Sequence, residues 1–185
     1  MANREALRAL QTRLADRLQQ ARTETRKPSW LALECGGAGL LAPLATAGEI
    51  FPVVALTPTP HTQPWFVGVA NLRGGLHGVV DLAAFLGLRQ AVPADAVREQ
   101  LREGARLLSF NAALGSHCAV LVDRLAGLRS AEQLQPEPDA ADGGDGAVQR
   151  PAFAAARWRD GDGRVWQEID LALLARHPQF LDIAA

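Results

Sequence analysis

Apolar residues recur along this chain with two different periods. Between residues 3 and 26 they fall three and four apart. Leu7, Leu10, Leu14, Leu18 and Ala21 make one stripe, and Arg8, Arg13, Arg17 and Arg22 lie off it beside Glu5, Asp16 and Glu24. That spacing predicts an amphipathic helix with Asn3 at its cap and Pro28 at its end. A stripe this narrow packs either on its own domain or, as a docking or dimer helix, on another chain. From Ser29 the runs become short. Trp30 to Leu33, Leu40 to Leu44 and Glu49 to Phe51 predict strands, the first two joined by a hairpin turn at Gly36-Gly37-Ala38-Gly39. Pro58, Pro60 and Pro64 then hold an extended connection, because each proline restricts both itself and its predecessor.

The central stretch, Gly68 to Gly87, reads GVANLRGGLHGVVDLAAFLG. A short apolar turn ends in Asn71-Leu72-Arg73-Gly74, a strand through Leu76, Val79 and Val80 follows, and Asp81-Leu82 opens a short helix to Leu86. Trp65, Phe66, Val67 and Val69 are expected in the core, holding the turn on the fold. Beyond Gly87, the charged segment from Asp95 to Arg106 is expected as loop with some helix. Strands are expected at Arg106 to Phe110 and His117 to Val122, with their turn at Asn111 to Ser116, and again at Leu125 to Leu128. Gln135 to Arg150 loses its apolar content and is expected as a mobile acidic, Gly-rich loop. A last hairpin joins Phe153–Trp158 to Arg164–Ile169 across Asp160-Gly161-Asp162-Gly163. A helix from Asp170 to Arg176 stops at Pro178, and Phe180, Leu181 and Ile183 form an apolar tail. Strands of this length without βαβ spacing predict a mainly β protein built on a small barrel.

The totals narrow the function classes. At 185 residues the chain is long enough for one domain or two small subdomains sharing a core. A net charge of -1, no Tyr and 5% aromatic residues leave neither a basic stripe nor a stacking platform, which argues against a small β-barrel nucleic-acid binder. The two cysteines, Cys35 and Cys118, read as buried reduced thiols rather than a disulfide. The first thirty residues hold no signal-peptide core and no run is long enough to span a bilayer, so a cytoplasmic protein without membrane insertion is expected.

Catalytic chemistry finds little support. His61, His77, His117 and His177 stand apart in sequence, and none has metal-ligand spacing. His117 and Cys118 point to opposite faces of their strand. Ser109, Ser116 and Ser130 lack a nucleophile elbow. Asp139, Asp142, Asp145, Asp160 and Asp162 lack the alternating oxygen ligands and closing Glu of a calcium loop. Gly36 to Gly39 is followed by no Lys-Ser/Thr and is not a phosphate loop. No catalytic residue, metal ligand or cofactor is assigned, and a hydrolase is the least favoured reading.

The string from Asn71 to Leu82 resembles the signature of CheW-like domains, the adaptors of bacterial chemosensory arrays: Asn-apolar-Arg-Gly, three positions, Pro, two apolars, then Asp-Leu. The similarity extends over Leu41 to Phe51, Arg106 to Leu128 and Val165 to Leu174. The leading helix and the ending Phe180-Leu181-Asp182-Ile183 resemble those of family members from type IV pilus chemosensory systems. Two positions depart from the pattern: Gly78 stands where the family has Pro, and His77 where it usually has an apolar residue. His77 is therefore expected to reach the surface, or to find a hydrogen-bond partner if buried.

The resemblance implies two intertwined five-stranded SH3-like barrels in residues 29–185, preceded by a helical extension at 1–28 and ending in a short helix. It implies a non-enzymatic adaptor that couples the cytoplasmic tip of a methyl-accepting chemoreceptor to the regulatory domain of a CheA-type histidine kinase, in control of twitching motility or, alternatively, in a flagellar pathway. It places partner binding at Arg73, with Asn71 and Gly74 holding its turn and Glu49 near the coupling surface. Asp81 is a further candidate to brace that turn. An Arg suits such a place because its planar fork bonds two acceptors and still stacks.

Overall fold

The computed structural model describes residues 28–91, 96, 103–138 and 150–185. The helix expected over 3–26 lies outside them, as do most of the charged segment and residues 139–149 of the acidic stretch.

Two antiparallel hairpins show how local sequence sets the strands. The first joins β1 (Ser29–Cys35) to β2 (Ala38–Pro43). Its two turn residues, Gly36 and Gly37, have φ of 56° and 83°, the left-handed pair of a type I′ turn, whose twist matches that of the flanking strands. β3 (Ala47–Pro52) follows, and after the proline-rich connection β4 (Phe66–Leu72) and β5 (Gly75–Asp81) make the second hairpin. The rest of the described chain supplies α1 (Leu82–Phe85), β6 (Arg106–Phe110), β7 (Cys118–Val122), β8 (Arg124–Ser130), β9 (Leu134–Glu137), β10 (Ala154–Asp160), β11 (Val165–Ile169), α2 (Leu171–Leu174) and α3 (Pro178–Leu181). Short 3₁₀ turns precede β7 and β9. Asp81 caps α1 by accepting from the Ala84 amide, and Asp170 caps α2 by accepting from Ala172 and Leu173. Each Asp-Leu pair thus ends a strand and starts a helix by one device.

The strands form two sheets, ordered β8-β1-β2-β11-β10-β9 and β3-β6-β7-β5-β4. The second is contiguous in sequence. The first is stitched from both ends of the domain, because β11 returns to lie parallel to β2, with Gln167 opposite Leu40 and Glu168 opposite Leu41. This is the expected mainly β architecture of two intertwined SH3-like barrels. Packing follows the period-two rule. On β6 and β7, Leu107 and Leu121 join an apolar cluster confined to the second sheet, while Leu108 and Val120 face a cluster shared between the sheets. β7 is buried at all five positions because both its faces are covered. Trp30, Leu41, Leu134 and Trp166 fill the first barrel. Trp65, Phe85, Phe110 and Phe180 form an aromatic stack between the sheets.

Three expectations need correction. The loop expected from Gln135 begins later, because Leu134–Glu137 is a sixth strand in the first sheet, paired to β10 with Pro136 opposite Trp158. One buried side chain, Leu134, anchors it, and Arg159 forks onto Glu137 with both contacts at 2.7 Å. Its proline is tolerated because β9 is an edge. Pro178 is not simply a stop, since it starts α3, where its missing N–H costs nothing. Of the apolar tail only Phe180, 4% exposed, joins the core, while Leu181 and Ile183 stay exposed.

Three further chemistry-bearing residues among the described ones, Cys35, Cys118 and Asp160, have structural roles. Cys35 and Cys118 are free and buried; burial raises both thiols, Cys118 to about 12, so neither is a thiolate nucleophile. Asp160 accepts from the indole of Trp166 at 2.8 Å and from the amides of Asp162 and Arg164. The indole bond, with those amides, holds its carboxyl below the ordinary range and organises the last hairpin turn. Trp65 and Val67 are buried, and Phe66 and Val69 are half-buried.

Candidate functional site

The β4–β5 hairpin turns on two residues, Arg73 and Gly74, with φ of 50° and 83°. This is again a type I′ turn, but its first position holds Arg where Asn or Gly is favoured. The Asn71 side-chain oxygen accepts from the Gly74 amide at 2.8 Å and closes the turn. The left-handed residue Arg73 is held there at a cost of about 1–2 kcal/mol.

The guanidinium leaves the turn and meets Glu49 from β3. Arg73 Nε lies 3.0 Å from one carboxylate oxygen, and Nη1 donates to the other at 3.2 Å. Glu49 is aimed by a bulge, since the β3–β6 register shifts between Ala47 and Ile50. At that gap the buried Ser109 hydroxyl accepts from the Glu49 amide at 2.9 Å and donates to the Glu49 carbonyl at 3.2 Å. The fold thus brings all four sequence-selected residues, Asn71, Arg73, Gly74 and Glu49, to one place. Ser109, which the sequence offered only as a nucleophile without a base, positions Glu49.

The ion pair is a surface feature. Its side chains are 75% and 52% exposed, so it contributes at most about 1 kcal/mol to stability. Next in sequence to Glu49 and Gly75 are Ile50 and Leu76, which stay 44% and 66% exposed. A groove of about 470 Å³ opens beside the pair, lined among others by Phe51, His77, Asn111, Ser116 and His117. His77 is half-buried, and its Nδ1 lies 3.0 Å from the Gly75 carbonyl oxygen. Contrary to their separation in sequence, His77 and His117 meet in this groove with ring centroids 5.7 Å apart.

Asp81 does not brace the turn. It ends β5, about 20 Å away at the strand rise per residue, is fully buried, and ion-pairs with Arg89 at 2.8 Å while capping α1. Arg89 also pairs with Asp123, and Asp123 in turn accepts from the Gly36 amide at 2.7 Å. On the first barrel, Glu34 holds Arg124 and Arg164 together, and these two bonds lower its carboxyl. Among the described residues no three His, Cys, Asp or Glu side chains come together as a metal cluster, and no helix is long and apolar enough to cross a membrane.

The chain matches the CheW-like domain over residues 29–179. It is 28% identical to a Pseudomonas aeruginosa protein named PilI, with 93% of this chain and 89% of that protein covered. Its fold is similar to the crystal structure of the scaffolding protein TtCheW from Thermoanaerobacter tengcongensis, with a TM-score of 0.60 and 17% identity over 78% of this chain and 89% of the other. With the signature residues gathered on one exposed hairpin and the match running from β1 into α3, the chain belongs to the CheW-like domain family.

Proposed function

We propose that this protein is a non-enzymatic adaptor that couples the cytoplasmic tip of a methyl-accepting chemoreceptor to the regulatory domain of a CheA-type histidine kinase, in a chemosensory system controlling type IV pilus twitching motility. One observation carries the reading: a strained turn presents Arg73, exposed and forked on Glu49 above an open groove. The strain exceeds what so exposed an ion pair returns to the fold. Backbone strain of this kind persists where a site uses the geometry. The half-buried Phe51 ring, which lines the groove with the charged pair, gives an apolar contact that a protein partner buries around an arginine anchor. Family membership and the likeness to PilI support the chemosensory assignment and the pilus branch.

In this reading the adaptor domain is residues 29–185, residues 1–28 are a separate extension, and the protein works in the cytoplasm. Its mechanism is positional. Holding receptor and kinase in register lets a receptor movement shift the kinase between states, provided the adaptor contacts differ in the two. Calorimetric titration with the regulatory domain of a CheA-type kinase from the same genome, repeated with a receptor-tip fragment, tests it. Binding to both is expected, with loss of at least one on Arg73→Glu in a folded variant. Failure of the folded wild type to bind either partner would remove the assigned function. Unchanged binding of both by Arg73→Glu would remove the role of Arg73.

A further inference from the structure

The parallel pairing of β5 with β7 sets two imidazoles side by side. Gly78 lies opposite Cys118, and the Gly78 amide donates to the His117 carbonyl at 3.0 Å. His77 and His117 are the next positions outward, and they share one face. Cys118 turns the other way into the core, so both rings are left lining the groove. They meet edge to face, at 74°.

The contact of His77 with Gly75 decides its tautomer. A carbonyl oxygen only accepts, so Nδ1 carries the proton, and in the neutral ring Nε2 keeps its lone pair. Metal-binding imidazoles are prepared in this way, with the second ring nitrogen fixed by a backbone carbonyl or carboxylate. The spacing also fits. With metal–nitrogen distances of about 2.0–2.1 Å, two imidazoles on one tetrahedral ion hold their centroids roughly 5–6 Å apart. The observed separation is 5.7 Å.

We propose that His77 and His117 form a two-imidazole site for a divalent transition-metal ion of the Zn²⁺, Cu²⁺ or Ni²⁺ class. No third protein ligand joins them among the described residues. The remaining coordination positions therefore face the groove and are filled by water or by a side chain from another molecule. The neighbouring Arg73 is matched by Glu49, so that pair adds little net repulsion toward a cation. Ca²⁺ and Mg²⁺ are poor occupants, because they select oxygen ligands.

The full-length chain, free of any histidine tag, is titrated calorimetrically with Cu²⁺, Ni²⁺, Zn²⁺ and Mg²⁺ chlorides. One transition-metal ion per chain is expected, with Cu²⁺ bound most tightly and no heat from Mg²⁺. His117→Ala and His77→Gln should each weaken Zn²⁺ binding at least about tenfold, the scale set by loss of a supporting group alone. His61→Asn should leave it unchanged. Circular dichroism checks that each variant is folded, and since His117 is exposed that variant carries the test if His77→Gln does not fold. Absence of binding by the wild type, or binding retained by folded His117→Ala, would overturn the site.

Discussion

Replacing Arg73 by Asn should make this protein more stable while destroying the feature proposed to bind its partners. Arg73 sits at φ 50° at the first corner of a type I′ turn, a conformation that costs an ordinary L-residue about 1–2 kcal/mol and that Asn adopts routinely. Against that gain stands the ion pair with Glu49, which at 75% and 52% side-chain exposure contributes at most about 1 kcal/mol. The net expectation for Arg73→Asn is a gain of roughly 0.5–1 kcal/mol, or a rise in Tm of about 1–4 °C for a chain of this size. Arg73→Ala separates the two effects, since it loses the ion pair and keeps the strained backbone. It should fall below the wild type by up to about 1 kcal/mol, leaving the Asn variant about 1–2 kcal/mol above it. Urea denaturation of the three proteins at one pH reads these differences. An Asn variant no more stable than the Ala variant would refute the claim that the turn is strained, and with it the physical reason for reading Arg73 as functional.

Two further outcomes follow from the charge networks. Arg89→Ala removes the cation beside Asp81, whose side chain is 0% exposed, and should cost about 3 kcal/mol in urea unfolding, the lower end for a broken buried pair because Arg89 itself is 21% exposed. Removing the charges of both partners with Asp81→Asn and Arg89→Met together, which keeps a capping side chain on α1 and leaves Asp123 as the one charge of the trio, should recover part of that loss. Glu34 is held below the ordinary glutamate value of 4.5, chiefly by its hydrogen bonds to Arg124 and Arg164. Its contribution is therefore complete above pH 4.5 and declines as pH falls from there toward the lower folded value. Glu34→Gln should flatten the acid limb of a stability–pH curve below pH 4.5, and an unchanged limb would count against this network.

The strands and turns of this chain were legible where the signal is local. Short apolar runs bounded by turn or polar residues mark β1, β2, β6, β7 and β11, and Gly36-Gly37 marks its hairpin because those two residues accept positive φ. The turn at Asn71, Arg73 and Gly74 was legible because a turn is read from consecutive residues, but its selection as a binding site, like that of Glu49, came through the resemblance. What escaped the sequence is non-local. Leu134 is the one buried residue of β9, too little pattern to mark a strand whose stability comes from its pairing with β10. His77 and His117 are brought together by a parallel pairing that no periodicity encodes. Asp81 was close in sequence to the turn yet belongs to the opposite end of its strand. Ser109 has its role only because a bulge in another strand leaves a peptide for its hydroxyl to bond on both sides.

The stitching of the first sheet from both ends of the domain has a consequence for how the protein is made. Strands of the second sheet all lie between residues 47 and 122, so that sheet's partners have all left the ribosome while the chain is still being translated. β2 has no such opportunity, because the neighbour that covers its open edge is β11, made only after every strand of the second sheet. Until then the nascent first hairpin carries an unpaired edge and the apolar faces of Leu40 and Leu41, the situation in which incomplete chains join one another. Synthesis that stops before residue 165 would leave a nearly complete second barrel attached to an adhesive half of the first. β11 is thus a seal, and completing it guards against aggregation as much as against loss of a binding site.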